Sequence, residues 1–204
     1  MKELLIATTN PAKLAEYQLL LRAFDLKVLS LRDRQITAEA PEDATTFAAN
    51  ASIKARFYFE LAGIPTLADD GGFEVDALDG APGVKSHRWL GVANPDDALL
   101  AREIIRRMEG VPQANRTARL RAAAALVYRD ATGVHEEVVE ATLDGIVPER
   151  CYPEIRKGFP YRSVIVLPER GRYLAELSDE EAARISQRRT LVDKLGPQLA
   201  HLAK

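Results

Sequence analysis

Apolar residues recur at two spacings along this 204-residue chain, and they predict that strands and helices alternate. The apolar run at residues 2–8 is typical of a short strand. Asn10 and Pro11 follow it and predict a helix cap and a first helical position. The next apolar residues fall on one face of that helix: Leu14, Tyr17, Leu20, Leu21 and Phe24.

The same reasoning predicts the remaining elements. Further strands are expected at residues 26–31, 64–68, 117–129, 134–147 and 163–167. Further helices are expected at residues 45–62, from 94 to about 108, and after the capping box that begins at Ser178. Helices and strands alternate early, and a hairpin that turns at 130–133 follows, so the order indicates an α/β protein with a mixed sheet.

Composition excludes several classes of function. The net charge is −2, which provides no overall field for nucleic acid or anionic lipid. A single cysteine, Cys151, excludes a disulfide within the chain and a zinc site built from several cysteines. No run approaches 18 apolar residues and the start lacks a secretory pattern, so no membrane association and a cytoplasmic location are expected.

Two polar motifs on the predicted helices are suited to binding phosphate. Thr8, Asn10 and Lys13 lie where a strand leads into a helix, and a hydroxyl, helix amides and an ammonium can together hold an anion there. Asn50 and Lys54 share a face of the second helix, since they are four residues apart. The alternatives are a capped helix with a solvated lysine, and ordinary surface polarity.

Adjacent carboxylates at Asp69 and Asp70 follow the short apolar run at residues 64–68. They are expected at the carboxyl end of a buried strand, where open α/β sheets bind ligands. Both can face one site only if the chain turns at Gly71–Gly72. Paired carboxylates favour Mg²⁺, and one of them can deprotonate a water. The alternative is a simple Asp-Gly turn.

A third basic motif, Ser86-His87-Arg88, follows the glycine- and proline-rich turn at residues 79–83. Arg88 can bind phosphate oxygens through two parallel hydrogen bonds. His87 is ambiguous, because an isolated histidine is more often solvated than catalytic. The neighbouring Trp89 is predicted to pack rather than to stack on a base.

The order of these motifs resembles that of the inosine triphosphate pyrophosphatase family, the Ham1-type nucleotide hydrolases. The segments that carry the resemblance are TTNPAK, TFAANASIKA, ADDGGFEVDALDGAPGVKSHRW, KGFPY and ELSDEEAARISQRR. The resemblance implies one domain over residues 1–204, with an elongated mixed sheet, flanking helices and two lobes around a central cleft. It also implies a homodimer that uses Mg²⁺ to cleave the α–β bond of nucleoside triphosphates carrying non-standard purines.

The resemblance further implies the site residues by position. Thr8, Asn10, Lys13, Lys54, Ser86 and Arg88 fall on the phosphate-binding positions, and Phe159 and Arg188 on base-pocket positions. Asp69 and Asp70 fall on the acidic pair that serves the metal and the attacking water, with Asp70 the better candidate.

This chain departs from the family pattern at five positions: Ala49, Gly71, Arg162, Ala182 and Gln187. At the position of Ala49 the family usually has a glutamate, which is a metal ligand. At the positions of Arg162, Ala182 and Gln187 the family has side chains that read the base. Arg162 replaces an aspartate, so the pocket that Arg162 and Gln187 help to shape would donate hydrogen bonds where the family accepts them. Glu42, Asp43 or Glu74 can replace the lost metal ligand.

Three functions are compatible with this sequence. The first is an active nucleoside triphosphate pyrophosphatase with the usual or an altered base preference. The second is a nucleotide- or phosphate-binding homologue that has lost efficient hydrolysis, which Ala49 favours. The third is a hydrolase of another phosphoanhydride or of a modified nucleotide.

Overall fold

The computed structural model describes residues 2–86, 88–92 and 95–204. Its strands are β1 (Lys2–Ile6), β2 (Leu26–Ser30), β3 (Thr66–Val75), β4 (Thr117–Asp130), β5 (Gly133–Ile146), β6 (Val166–Leu167) and β7 (Arg172–Tyr173). Its helices are α1 (Pro11–Leu20), α2 (Phe47–Ala62), α3 (Asp97–Arg107), α4 (Asp179–Ile185), α5 (Gln187–Lys194) and α6 (Gly196–Leu202). The strands form one mixed sheet in the order β2-β1-β3-β4-β5-β6-β7, which confirms the predicted fold class.

Parallel pairing of β1 with both β2 and β3 places the candidate site residues. Ile6 of β1 lies opposite Leu67 of β3, and the N–H of Ala7 donates to the Leu67 carbonyl at 2.8 Å. Thr8 follows Ile6 by two residues and Asp69 follows Leu67 by two, so Asp69 lies beside the carboxyl end of β1, although β3 itself continues to Val75. Ligands commonly bind at this edge of an open α/β sheet.

Local signals place most helix starts correctly. The Asn10 side chain caps α1, as predicted. Ser178 and Glu181 form the predicted capping box of α4. Gly63 ends α2 with a φ of 67°, a conformation that a side chain with a Cβ atom disfavours. The predicted hairpin is confirmed by β4 and β5, which are neighbours in the sheet.

Four predicted boundaries are wrong. β3 continues to Val75 instead of ending at residue 68. Only Val166–Leu167 of the predicted strand at 163–167 is extended, because residues 160–164 form a 3₁₀ helix. The final helix is interrupted at Ser186, whose backbone is extended, and α1 ends before Phe24.

The chain divides into two compact units. Unit 1 contains residues 1–70, 122–141 and 187–204, and unit 2 contains residues 71–121 and 142–186. Unit 1 buries the apolar side chains of β1 and the alanines of β4, including Ala122 and Ala125. Unit 2 has a core in which Phe73 of β3 packs with residues of α3 such as Ile104.

No helix within the described ranges is long and apolar enough to cross a membrane.

Candidate functional site

Asp69 and Asp70 lie inside β3, and their carboxylates contact different helices. Successive side chains of an extended strand point to opposite faces of the sheet. Asp69 contacts side chains of α1 and α5, whereas Asp70 contacts side chains of α2. The turn predicted at Gly71–Gly72 is therefore wrong, and each carboxylate has its own set of partners.

Asp69 is neutralised by two buried cations. Its side chain is 0% exposed, and Lys13 Nζ donates to its Oδ1 at 3.2 Å. Arg188 Nε donates to its Oδ2 at 2.9 Å. A second edge of the same guanidinium, at Nη1, donates to Glu16 Oε2 at 3.3 Å. Both oxygens of Asp69 are thus engaged by protein cations.

The pKa values of this group follow from burial and from the neighbouring charges. Burial opposes ionisation of Asp69, but the Arg188 guanidinium and the Lys13 ammonium outweigh it and hold the pKa of the carboxyl well below its usual range. Burial lowers the pKa of Lys13, and Asp69 opposes that shift. Burial also disfavours the charge on Arg188, but Asp69 and Glu16 raise its pKa further above its ordinary value. Asp69 and Arg188 therefore form a permanently charged pair at neutral pH.

Asp70 is held by the predicted pair on α2. Asn50 Nδ2 donates to Asp70 Oδ2 at 3.0 Å, and Lys54 Nζ lies 3.6 Å from Asp70 Oδ1. Asn50 Oδ1 accepts from the backbone N–H of Ala44 at 3.0 Å, which ties the segment before α2 to the same site. Lys54 Nζ also contacts Glu42 Oε1 at 3.2 Å. One ammonium thus lies against two carboxylates.

The carboxylates of Asp70 and Glu42 fit a hard cation such as Mg²⁺ better than the carboxylate of Asp69 does. Among the residues that the structure describes, no three His, Cys, Asp or Glu side chains are grouped as metal ligands. Mg²⁺, however, is commonly held by one or two carboxylates together with substrate phosphates. Asp70 and Glu42 already converge on a positive charge at Lys54. Glu74, the other glutamate considered as a replacement ligand, is instead paired with arginines of unit 2.

The predicted anion site at the start of α1 has fewer free donors than expected. Asn10 Oδ1 accepts from the N–H groups of Ala12 and Lys13, at 2.9 and 3.3 Å. Pro11 has no N–H, and Thr8 Oγ1 accepts from the N–H of Asn10 at 3.2 Å. The N-cap hydrogen bonds occupy the first amides of the helix. Phosphate binding at this edge therefore depends mainly on the Lys13 ammonium and the Thr8 hydroxyl proton.

In unit 2, Ser86 joins two of the motifs noted in the sequence. Its Oγ accepts from the N–H of Phe73 at 3.0 Å and donates to the Gly83 carbonyl at 2.6 Å. Tyr161 Oη donates to the Ser86 carbonyl at 2.7 Å, and the Tyr161 ring stacks on Phe73 with centroids 5.1 Å apart. Hydrogen bonds and ring packing thus fix the Ser86 segment against the KGFPY segment.

Phe159 and Arg162 form a stacked pair in unit 2. The guanidinium carbon of Arg162 lies 3.8 Å from the centroid of the Phe159 ring, a cation–π arrangement. Arg162 is 6% exposed, so this guanidinium is largely removed from solvent. One face of Phe159, the predicted stacking surface for a base, is therefore covered by a positive charge.

The remaining predicted residues are divided between the two units. Arg88 is an exposed residue of unit 2, while Gln187 is buried at the first position of α5 in unit 1. His87 lies outside the described residues. Trp89 packs against the core of unit 2, as predicted, and the Arg107 guanidinium stacks on it.

Sequence reasoning missed Glu16, which is buried and contacts Arg188. A signal for it exists in the helical pattern. Glu16 is three residues after Lys13 and directly precedes the apolar Tyr17, so it shares the lysine's side of α1 near the core. A buried acid on that face requires a cation, which the sequence does not identify by spacing.

Comparisons with known proteins agree on one family. The family described as "Ham1 family" matches residues 4–198. A dITP/XTP pyrophosphatase of Geobacillus kaustophilus is 40% identical over 198 residues, covering 97% of this chain and 94% of the relative. The solved structure of a HAM1 protein from Coxiella burnetii superimposes with a TM-score of 0.83 at 30% identity, covering 98% of this chain and 100% of that one. A nucleoside-triphosphatase / dITP/XTP pyrophosphatase from Mycobacterium abscessus gives a TM-score of 0.71 at 35% identity, with 96% and 99% covered.

Proposed function

Because this chain belongs to the Ham1 family, we propose that it hydrolyses nucleoside triphosphates carrying non-standard purines to nucleoside monophosphate and pyrophosphate. One observation carries the proposal for this chain's own residues. Lys13 and Lys54 lie in unit 1, and each is paired with one of the two adjacent carboxylates of β3. Positive groups for a polyphosphate thus lie beside an acid that can activate water.

The reaction assigns a role to each of these groups. A water oxygen attacks the α-phosphorus, the bond from that phosphorus to the α–β bridging oxygen breaks, and pyrophosphate leaves. Asp70 accepts the proton that the attacking water loses. Lys13 and Lys54 neutralise the phosphate oxygens and the charge that develops on the leaving pyrophosphate. Asp69, whose oxygens are engaged by Lys13 and Arg188, orients Lys13 and is not proposed as a metal ligand.

A divalent cation such as Mg²⁺ fits this arrangement. Asp70 and Glu42 would hold it, since both already face the Lys54 ammonium. When bound, the ion would withdraw charge from the phosphates and increase the acidity of a water. Glu42 would thereby supply the carboxylate that Ala49 cannot.

Glu42→Gln is expected to raise the Mg²⁺ concentration needed for half-maximal activity by about tenfold, since one carboxylate in the site loses its charge. Ala49→Glu is the matched variant, because it places a carboxylate where the family has one. A magnesium titration of pyrophosphate release measures both variants. An unchanged titration for Glu42→Gln would remove Glu42 from the metal site, and tighter dependence in Ala49→Glu would show that position 49 can contribute.

A panel of nucleoside triphosphates tests the proposed function. With Mg²⁺ present, we expect pyrophosphate release from inosine, deoxyinosine and xanthosine triphosphates to exceed release from ATP by at least about tenfold in kcat/KM. The reason is that relatives of this chain are named dITP/XTP pyrophosphatases, and those bases carry a keto oxygen where adenine presents an amino group.

Arg162→Asp restores the residue type that the family has at this position, and it is the matched control. We expect it to change the ratio of kcat/KM for keto-purine nucleotides to kcat/KM for amino-purine nucleotides by about five- to hundredfold. The cleavage of the α–β phosphate bond should be affected less. An unchanged ratio would mean that Arg162 does not read the base.

The alternative is a binding protein without efficient hydrolysis, which Ala49 favours. A thermal shift with nucleotide and no pyrophosphate release from any member of the panel would support it. The predicted homodimer and cytoplasmic location stay predictions.

A further inference from the structure

A charge ring of four side chains, three of them buried and one partly exposed, connects α1, β3 and α5 within unit 1. Its members, in order of contact, are Lys13, Asp69, Arg188 and Glu16. We propose that Glu16 is a positioning residue, which fixes the Lys13 ammonium for phosphate binding by acting through Arg188 and Asp69. The inference rests on the proposed function, because it takes Lys13 as a phosphate ligand.

The contacts form a circuit that starts and ends on one helix. Lys13 Nζ contacts Asp69 Oδ1 at 3.2 Å, Asp69 Oδ2 contacts Arg188 Nη2 at 2.9 Å, and Arg188 Nη1 contacts Glu16 Oε2 at 3.3 Å. Lys13 and Glu16 are three residues apart on α1, so the backbone of one helical turn completes the circuit. Asp69 and Arg188 each contact two members of the ring, so movement of either one changes both of its contacts.

Charge balance makes the ring rigid. Two acids and two bases sum to zero, and the side chains of Asp69, Glu16 and Arg188 are 0%, 5% and 5% exposed. A buried charge that loses its partner is strongly destabilised, because water cannot replace the lost contact. Arg188 has a planar guanidinium with fixed donor directions, so its two carboxylate contacts define its orientation.

The neighbouring Tyr17 adds no further charge to this region. Burial and the nearby Asp69 raise the pKa of its phenol well above the usual value. The hydroxyl therefore stays protonated at neutral pH and adds no charge to the ring.

Lys13 is the member of the ring that can reach a ligand. Its side chain is 13% exposed, more than that of any other member. An ammonium has three protons, and Asp69 accepts one of them, which leaves two directions for phosphate oxygens. Asp69 sets those directions, Arg188 holds Asp69, and Glu16 holds Arg188.

A double-mutant cycle with inorganic tripolyphosphate tests this assignment. Wild type, Glu16→Gln, Lys13→Met and the double variant are titrated calorimetrically with tripolyphosphate in the presence of Mg²⁺. We expect Glu16→Gln to weaken binding about three- to tenfold, because Arg188 loses one of its two anchors. We expect the same change to alter binding less than twofold in the Lys13→Met background, because its effect passes through Lys13.

Steady-state kinetics separate positioning from a purely structural role. Glu16→Gln is expected to raise KM for the nucleotide and to lower kcat, because Lys13 both binds phosphate and neutralises the leaving pyrophosphate, whereas a loss of folded protein would lower the apparent kcat and leave KM unaltered. If Glu16→Gln does not fold, Glu16→Asp keeps the charge and withdraws it by one methylene, and a smaller loss of tripolyphosphate affinity is expected.

Two results would overturn the inference, and they differ in meaning. An equal effect of Glu16→Gln with and without Lys13 would show that Glu16 does not act through Lys13, and the proposed function would stand. Unchanged tripolyphosphate binding in Lys13→Met would show that Lys13 is not a phosphate ligand, which removes the phosphate assignment of the proposed function together with the inference.

Discussion

Asp70→Asn is expected to lower kcat about 10²- to 10⁴-fold, because the amide cannot accept the proton of the attacking water. The substitution keeps the shape of the side chain. Its oxygen can still accept from Asn50 Nδ2, and Lys54 keeps its contact with Glu42. Because Asp70 is also a proposed Mg²⁺ ligand, the variant is compared with wild type at saturating Mg²⁺, where nucleotide binding should change little. Stopped-assay pyrophosphate release gives kcat, and calorimetric titration with a slowly hydrolysed nucleotide gives affinity.

Asp144→Asn is a suitable control, since Asp144 is an exposed aspartate of β5 whose side chain is 78% exposed. It should retain wild-type kcat. Turnover within a few-fold of wild type in Asp70→Asn would remove Asp70 from the role of general base and would leave the water to be activated by another group.

Asp69→Asn is expected to destabilise the fold by about 3–5 kcal/mol, the typical result of removing one partner from a buried ion pair. Asp69 is the only ring member that contacts both cations, Lys13 and Arg188. Glu16 still faces Arg188 in the variant, but Lys13 loses its carboxylate partner. Urea unfolding at pH 7, followed by circular dichroism, measures the difference in the free energy of unfolding.

The sign of the pH dependence follows from the lowered pKa of Asp69. A carboxyl whose pKa is lower in the folded than in the unfolded state stabilises the fold above the unfolded pKa, near 4. That contribution is lost as the pH falls through the folded value. The difference in the free energy of unfolding between wild type and Asp69→Asn should therefore have its full value at pH 6–7 and decrease below about pH 4.

An exposed aspartate near the end of α1, Asp25, serves as the comparison. Asp25→Asn should change the free energy of unfolding by less than about 0.5 kcal/mol, as is usual for surface substitutions. A similarly small change in Asp69→Asn, or a difference from wild type that grows at low pH, would contradict the buried charge ring.

The fold was predictable from the sequence where the deciding contacts are local. Asn10 caps α1 by accepting from amides two and three residues away, and Ser178 and Glu181 cap α4 in the same way. The strand predicted at 64–68 was ended too early for the opposite reason. Two glycines normally favour a turn, but β3 continues to Val75 with β4 as its neighbour in the sheet, whereas it pairs with β1 at Thr66 and Leu67.

The candidate site was predictable as a set of residues but not as a set of contacts. The motif order identified Lys13, Lys54, Asp69 and Asp70, and the helical spacing placed Asn50 and Lys54 on one face, as the structure confirms. Spacing did not indicate that Asp69 and Asp70 have separate partners, because that follows from β3 continuing as a strand. It also did not single out Glu42 over Glu74 beside Lys54.

The sequence by itself determined the α/β class, most element positions, the family and the candidate site residues, since these depend on periodicity, caps and motif order. Only the tertiary structure decided which charges meet. Arg188 reaches Asp69 across 119 positions of the chain and Glu16 across 172. Such pairs form because packing brings distant segments together and burial then requires every charge to find a partner, and no spacing along the chain encodes that requirement.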